Sequence, residues 1–164
     1  MTLIYIGLGS NKGRRIKNIE EALSKLKKEI DIQKVSSFYL AEPVETKGGW
    51  FVNCVAEGQT NKLAQELLTY LLQIEKEMGR VREKEGGRRS IDLDILFYGE
   101  EIIQEKDLII PHPHLHQRRF ILTPLAEINP ELNHFLLNKT VDELLKELEN
   151  PYQVEKIKEI NAGS

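Results

Sequence analysis

One cysteine in 164 residues, Cys54, excludes an internal disulfide. It sits in the strand-like run FVNCVAEG and reads as a small core residue. No apolar run approaches the roughly 20 residues that cross a bilayer. The first nine residues have no basic n-region of the secretory type, so a reducing, cytoplasmic setting with no membrane partner is expected. Net charge is −3, so no global basic field draws the chain onto nucleic acid. Internal repeats and low-complexity stretches are also missing, which leaves no solenoid or linker reading. A chain of this length buries a core without disulfides or structural metal and fits one domain. The expected bounds are 1–149 for that domain, with 150–164 a partly frayed tail after Pro151.

Positive charge is present, but locally. Residues 80–94 carry Arg80, Arg82, Lys84, Arg88 and Arg89 against Glu83, Glu85, Asp92 and Asp94. A local basic cluster in an acidic chain suits a small polyanion better than a duplex. Directly after it, Ile91, Leu93, Ile95, Leu96, Phe97 and Tyr98 mark a strand. Strand side chains alternate, so Asp92 and Asp94 share a face with Cα atoms roughly 6.5–7 Å apart. Asp is disfavoured in strands, and two carboxylates on one face repel unless a cation lies between them. Mg²⁺ binds through one or two carboxylates and shares its remaining shell with water and phosphates. Arginine forks bind phosphate oxygens bidentately. An isolated Asp-x-Asp on an edge strand, with the arginines paired to Glu83 and Glu85, is the ordinary reading. Four arginines on the adjoining loop reverse it in favour of phosphoryl-transfer chemistry.

The rest of the pattern gives a coarse fold. Thr2–Leu8 reads as a strand. Ser10 or Asn11 is expected to cap a helix over about Arg14–Glu29, which makes GLGSNKG a strand-to-helix turn rather than a phosphate loop. Ile32–Tyr39 and Phe51–Gly58 read as strands, and Leu63–Met78 as a helix that stops at Gly79. A small hairpin, a helix near Leu122–Ile128 and a helix opened by the capping box Thr140-Val-Asp-Glu143 complete the chain. The order β-α-β-β-α-β over the first hundred residues predicts an α+β, ferredoxin-like antiparallel sheet with one layer of helices and a C-terminal extension.

Two further groupings carry chemistry. His112, His114 and His116 alternate in PHPHLHQRRF, as zinc ligands on a strand face would, but Pro111 and Pro113 make the segment irregular and stiff. His112 with Arg118–Arg119 can instead donate hydrogen bonds to phosphate. Trp50, Phe51, Asn53 and Phe120 can form an aromatic slot with one amide, suited to a flat heterocycle, or can pack in the core.

Together these pieces resemble the 6-hydroxymethyl-7,8-dihydropterin pyrophosphokinases of folate biosynthesis. GSN stands at Gly9–Asn11, SSFY followed by EPV at Ser36–Val44, FVN at Phe51–Asn53 and GRVR at Gly79–Arg82. Then come GRRSIDLDILFYG and IPHPHLHQRRFIL. The resemblance spans Thr2 to about Leu148. It implies transfer of pyrophosphate from ATP to the pterin hydroxymethyl, with release of AMP. It implies two Mg²⁺ ions on Asp92 and Asp94, with Arg82 and Arg89 closing over ATP. His112 and Arg118 match triphosphate contacts, and Glu75 a nucleotide-side carboxylate. Asn53, with Asp92 nearby, matches the pterin edge, Phe51 and Phe120 its sandwiching rings, and Val44 an apolar contact. A monomer or weak dimer is expected, with loops at Leu40–Trp50 and Arg80–Arg89 that close on ligand. The alternative from another class is a ferredoxin-like nucleic-acid-binding module, which would need exposed aromatics amid basic residues on the sheet.

Overall fold

The computed structural model describes residues 1–43, 49–80 and 90–157. In chain order the elements are β1 (Thr2–Ser10), α1 (Arg15–Leu26), β2 (Asp31–Val35), β3 (Tyr39–Ala41), β4 (Phe51–Thr60), α2 (Ala64–Arg80) and β5 (Asp92–Tyr98). A hairpin of β6 (Ile103–Gln104) and β7 (Ile109–Ile110) follows, then α3 (Arg119–Ile128). A second hairpin, β8 (Asn133–His134) with β9 (Lys139–Thr140), leads to α4 (Val141–Glu147) and β10 (Val154–Lys156). The main sheet is ordered β10-β3-β4-β1-β5, with β2 also on β4, and its pairings are antiparallel.

The helices divide between the two faces. Ile4, Ile6 and Leu8 of β1 pack with Leu23 and Leu26 of α1 and with Leu67, Leu71 and Ile74 of α2. On the opposite face Tyr5, Val55, Leu96 and Phe97 pack with Leu122 and Leu125 of α3 and Val141 of α4. The expected single layer of helices is therefore corrected to two. The reason lies in β1 itself, whose residues are buried on both faces near Tyr5, so one helical layer leaves half its apolar surface wet. A register shift beside Tyr5 pairs Phe97 with Tyr5 but Ile95 with Ile6, which leaves Leu96 as the extra residue of a bulge. The freed Leu96 carbonyl accepts the His112 amide at 3.1 Å.

Several boundaries move for local reasons. β1 runs on through Gly9 and Ser10, and α1 begins after Arg14 with no side-chain cap. The Ser10 hydroxyl instead donates to the Ser90 carbonyl at 2.7 Å, and Asn18 Nδ2 braces the turn by donating to Ser10 Oγ and the Lys12 carbonyl. The expected strand over Ile32–Tyr39 divides because Ser36 Oγ accepts the Val55 amide in place of a backbone carbonyl. α2 continues through Gly79 to Arg80. The Thr140–Glu143 capping box forms as the sequence predicts, with both hydrogen bonds at 3.0–3.1 Å. Val154–Lys156, inside the stretch set apart as a tail, adds a strand to the β3 edge.

Candidate active site

The register of β1 builds the floor of the site. Gly9 stands between Asn53 of β4 and Asp92 of β5, and Gly7 stands between Val55 and Asp94. Two glycines on one face of a central strand leave a trough where side chains would otherwise stand. Adjacent strands lie roughly 4.8 Å apart, so Asn53 and Asp92 face each other over two spacings, roughly 10 Å. A cavity of about 520 Å³ fills the trough. Ala41 and Glu42 wall it at the end of β3, Leu68, Leu72 and Glu75 on α2, and Arg118 and Phe120 at the start of α3.

The polar groups divide across this trough. Asp92 is exposed and Asp94 half-buried on the same face of β5, while Leu93 between them points into the core. β5 is an edge strand, and the Leu93 amide on its outer side donates to Glu75 Oε2 at 2.7 Å. A buried carboxylate thus meets an edge donor. On the far side Asn53 is 6% exposed, and its Nδ2 has no hydrogen-bond partner among the described residues. Buried amide donors without a partner are uncommon, and this one borders a cavity that can hold an acceptor. The Asn53 carbonyl oxygen lies over Gly9, where an added Cβ would stand 2.6 Å from it. The Arg118 guanidinium sits 5.7 Å from the Phe120 ring centroid. Burial pushes the Cys54 thiol well above its ordinary range, which keeps it protonated and inert, as expected of a core residue.

His112 lies outside the cavity lining. Burial, with Arg118 and His114 beside it, pushes its imidazole down to about 4. Its Nδ1 accepts the His114 amide at 3.2 Å, which leaves the proton of the neutral ring on Nε2. The three neighbouring histidines do not converge. His112 and His114 rings are 6.2 Å apart, whereas His116 packs on His134 at 6.4 Å. No group of three metal-ligating side chains comes together among the described residues.

Of the residues singled out in the sequence, Glu75, Asp92, Asp94, Phe51, Asn53, Arg118 and Phe120 line one cavity. Trp50 does not, and its carbonyl accepts from Arg15. Val44, Arg82 and Arg89, and most of the two expected closing loops, lie outside the described residues. The sequence reading missed Gly7, Gly9, Glu42, Leu68 and Leu72. Glycines two apart at the end of an apolar strand were the available signal for the first pair.

Paired carboxylates on one bank and an amide with an aromatic ring on the other suit a transferase that joins a phosphate donor to a flat acceptor. The comparisons with known proteins specify it. Residues 5–130 match the model of the family described as 7,8-dihydro-6-hydroxymethylpterin-pyrophosphokinase (HPPK), and the chain belongs to that family. It is 41% identical over 149 residues to the 2-amino-4-hydroxy-6-hydroxymethyldihydropteridine pyrophosphokinase of Aquifex aeolicus, covering 90% of this chain and 92% of the relative. The Bacillus subtilis protein of the same name is 42% identical over 129 residues, covering 77% of each. The folic acid synthesis protein fol1 of Pneumocystis carinii is 46% identical over 133 residues, but this chain spans 18% of its length. Among solved structures, Plasmodium falciparum HPPK-DHPS superposes with a TM-score of 0.67 at 19% identity, over 89% of this chain and 43% of that one. The last likeness concerns the fold alone.

Proposed function

We propose that this chain transfers the pyrophosphoryl unit of ATP to the hydroxymethyl oxygen of 6-hydroxymethyl-7,8-dihydropterin, giving the pterin diphosphate and AMP in folate biosynthesis. The observation that carries this reading is the Asn53 amide, without a partner among the described residues, facing the Asp92–Asp94 pair across the glycine trough in a member of the pyrophosphokinase family. The relatives are named pyrophosphokinases, which leaves the nucleic-acid-binding alternative without support.

In this reading Asn53 pairs with the edge of the pterin, and Phe51 and Phe120 hold its faces, with Val44 adding an apolar contact. Asp92 and Asp94 fit two Mg²⁺ ions, since both offer only hard oxygen donors on one face and leave the remaining shell to phosphates. The ions would supply charge neutralisation on the triphosphate and an acidified acceptor hydroxyl. Arg118, with Arg82 and Arg89, binds phosphate oxygens, and Glu75 stands on the nucleotide side. His112 donates from Nε2–H as a neutral ring. The acceptor hydroxyl gives its proton to solvent as its oxygen bonds to the β-phosphorus, the bond from that phosphorus to the α,β-bridging oxygen breaks, and AMP leaves. The protein's contribution is in-line positioning and preorganised donors.

The strand order supports reading β1-α1-β2/β3-β4-α2-β5 as a ferredoxin-like unit. A cytoplasmic setting and a monomeric or weakly dimeric state belong to the same proposal. Among the described residues no helix is long and apolar enough to cross a membrane.

The test is AMP release from ATP and Mg²⁺ with and without the pterin. Pterin-dependent AMP together with the pterin diphosphate is the expected result. ADP, or no nucleotide product, from folded protein sinks the proposal.

A further inference from the structure

The floor of the site is fixed by strand pairing, whereas two of its walls stand at the ends of their elements. Ala41 and Glu42 lie at the end of β3, and Arg118 and Phe120 at the start of α3. Residues 148–157 touch both. On one side the Arg119 guanidinium donates through Nη2 to the carbonyls of Leu148 and Asn150, each at 3.2 Å. Asn150 Nδ2 returns a hydrogen bond to the Gln117 carbonyl at 3.0 Å. These bonds bracket the residues that carry Arg118 and Phe120. On the other side β10 pairs Val154 with Ala41. The Glu42 amide donates to the Gln153 carbonyl at 3.0 Å, and the Gln153 amide donates to Glu42 Oε1 at 3.4 Å. Lys156 and Tyr39 then meet Glu127 of α3 from the sheet edge, 4.0 Å and 2.5 Å away.

We propose that residues 148–156 are a strap that sets the width of the acceptor slot, with Arg119 and Asn150 as its positioning residues. This rests on the reading of the pocket given above. Neither side chain lines the cavity. Each acts through the neighbours it holds, so the strap tunes substrate capture rather than chemistry. A segment that only completed the sheet would need β10 and nothing at Gln117 or Arg119. The crossed hydrogen bonds at Asn150 instead tie the α4 exit to the residues on either side of Arg118. Specificity for the size of the flat acceptor therefore depends partly on a stretch after the last helix.

The experiment compares Asn150→Ala, Asn150→Asp and Arg119→Ala in the full chain. Asn150→Asp keeps the shape and removes the donor. Each variant should raise the pterin KM about fivefold, the equivalent of one or two ordinary hydrogen bonds, with kcat at saturation within about twofold. Arg119→Lys, which can still reach one carbonyl, should recover part of the loss. Amide exchange gives a readout independent of turnover. The amides of Ile121 and Leu122, which donate to the Arg118 carbonyl, and the Glu42 amide should exchange about fivefold faster in the variants. Wild-type pterin KM and unchanged exchange at these amides in both Asn150→Ala and Arg119→Ala overturn the strap. Faster exchange in a protein whose wild type makes no pterin diphosphate keeps the strap and removes the reaction assigned to the pocket.

Discussion

Gly9→Ala should separate binding from stability in this protein. Gly9 is the residue of β1 that lies between Asn53 and Asp92, and its added Cβ would stand 2.6 Å from Asn53 Oδ1 and 3.7 Å from a Phe51 ring carbon. Contacts below 3.0 Å are not tolerated, so the Asn53 side chain must rotate. A rotation of roughly 30° off its rotamer costs about 0.5–1.5 kcal/mol. The same rotation misdirects the Nδ2 donor, and a polar group left unsatisfied in the bound state costs about 1–3 kcal/mol. Pterin binding should therefore weaken by about 10- to 100-fold, at roughly 1.4 kcal/mol per decade. Stability should change little, because removing glycine from a strand interior contributes about 0.5–1 kcal/mol in the opposite direction. Gly7→Ala is the comparison, since the atoms nearest its Cβ belong to Leu96 and stand at 3.4 Å or more, an ordinary contact, with no push on Asn53. Calorimetric titration of the pterin in the presence of Mg²⁺ and a non-reacting ATP analogue, beside thermal melts, decides the matter. A Gly9→Ala protein that binds pterin within twofold of wild type refutes the placement of the heterocycle over Asn53.

Other substitutions probe the opposite bank. Asp92→Asn and Asp94→Asn should each lower kcat by about 10²-fold or more while circular dichroism and melting stay near wild type, and near-normal turnover in both would remove the metal assignment. Glu75→Ala should cost about 1–3 kcal/mol in a denaturant titration because it leaves the Leu93 amide without its carboxylate, whereas Glu75→Gln, which retains an acceptor, should cost less. His112, held down at about 4, should show no titration by NMR between pH 8 and 5.5, and a midpoint near 6.5 would contradict its burial. The sign for stability follows. The unfolded chain takes up this proton near pH 6.5 and the folded chain only near 4, so this group stabilises nothing above 6.5 and lowers folding stability as pH falls between those values.

The legible parts of the molecule were those with local causes. Apolar spacing at three and four residues marks α1 and α2, and the Asp-x-Asp pair is visible because two carboxylates contradict an otherwise apolar strand. The Thr140–Glu143 capping box is written in four residues and forms. What escaped depends on pairing over distance. Gly7 and Gly9 read as a turn because glycine is depleted from strands, and only their partners on β4 and β5 show that they empty a trough. Ser36 divides a run that looks continuous because its hydroxyl meets Val55, nineteen residues away. Glu42 was visible only as the first residue of the EPV motif and was assigned no role, since its place in the cavity wall is fixed by Gln153. The second helical layer was hidden for the same reason, as α3 and α4 are amphipathic segments whose sequence does not say which face of the sheet they cover.

The proposed site thus joins two kinds of support, and they should fail differently. The separation between Asn53 and the Asp92–Asp94 pair is set by backbone hydrogen bonds across three strands, and the spacing within the pair by the strand rise. No side-chain rotamer enters either Cα–Cα distance, although the aim of the Asn53 amide does depend on its rotamer. Under the proposed function such a floor would hold acceptor and phosphate donor in register before either arrives, which is where positioning contributes most to rate. Phe120, Arg118 and Glu42 stand at the ends of their elements and lean on the few hydrogen bonds that Arg119, Asn150 and Gln153 make. Bound substrate can re-order walls of this kind, at a cost taken from its affinity. Damage to the carboxylate bank should therefore appear mainly in kcat, and damage to the walls mainly in KM. A set of wall variants that lowered kcat with KM intact would mean that the chemistry itself waits on the strap, and that the floor alone does not align the reacting atoms.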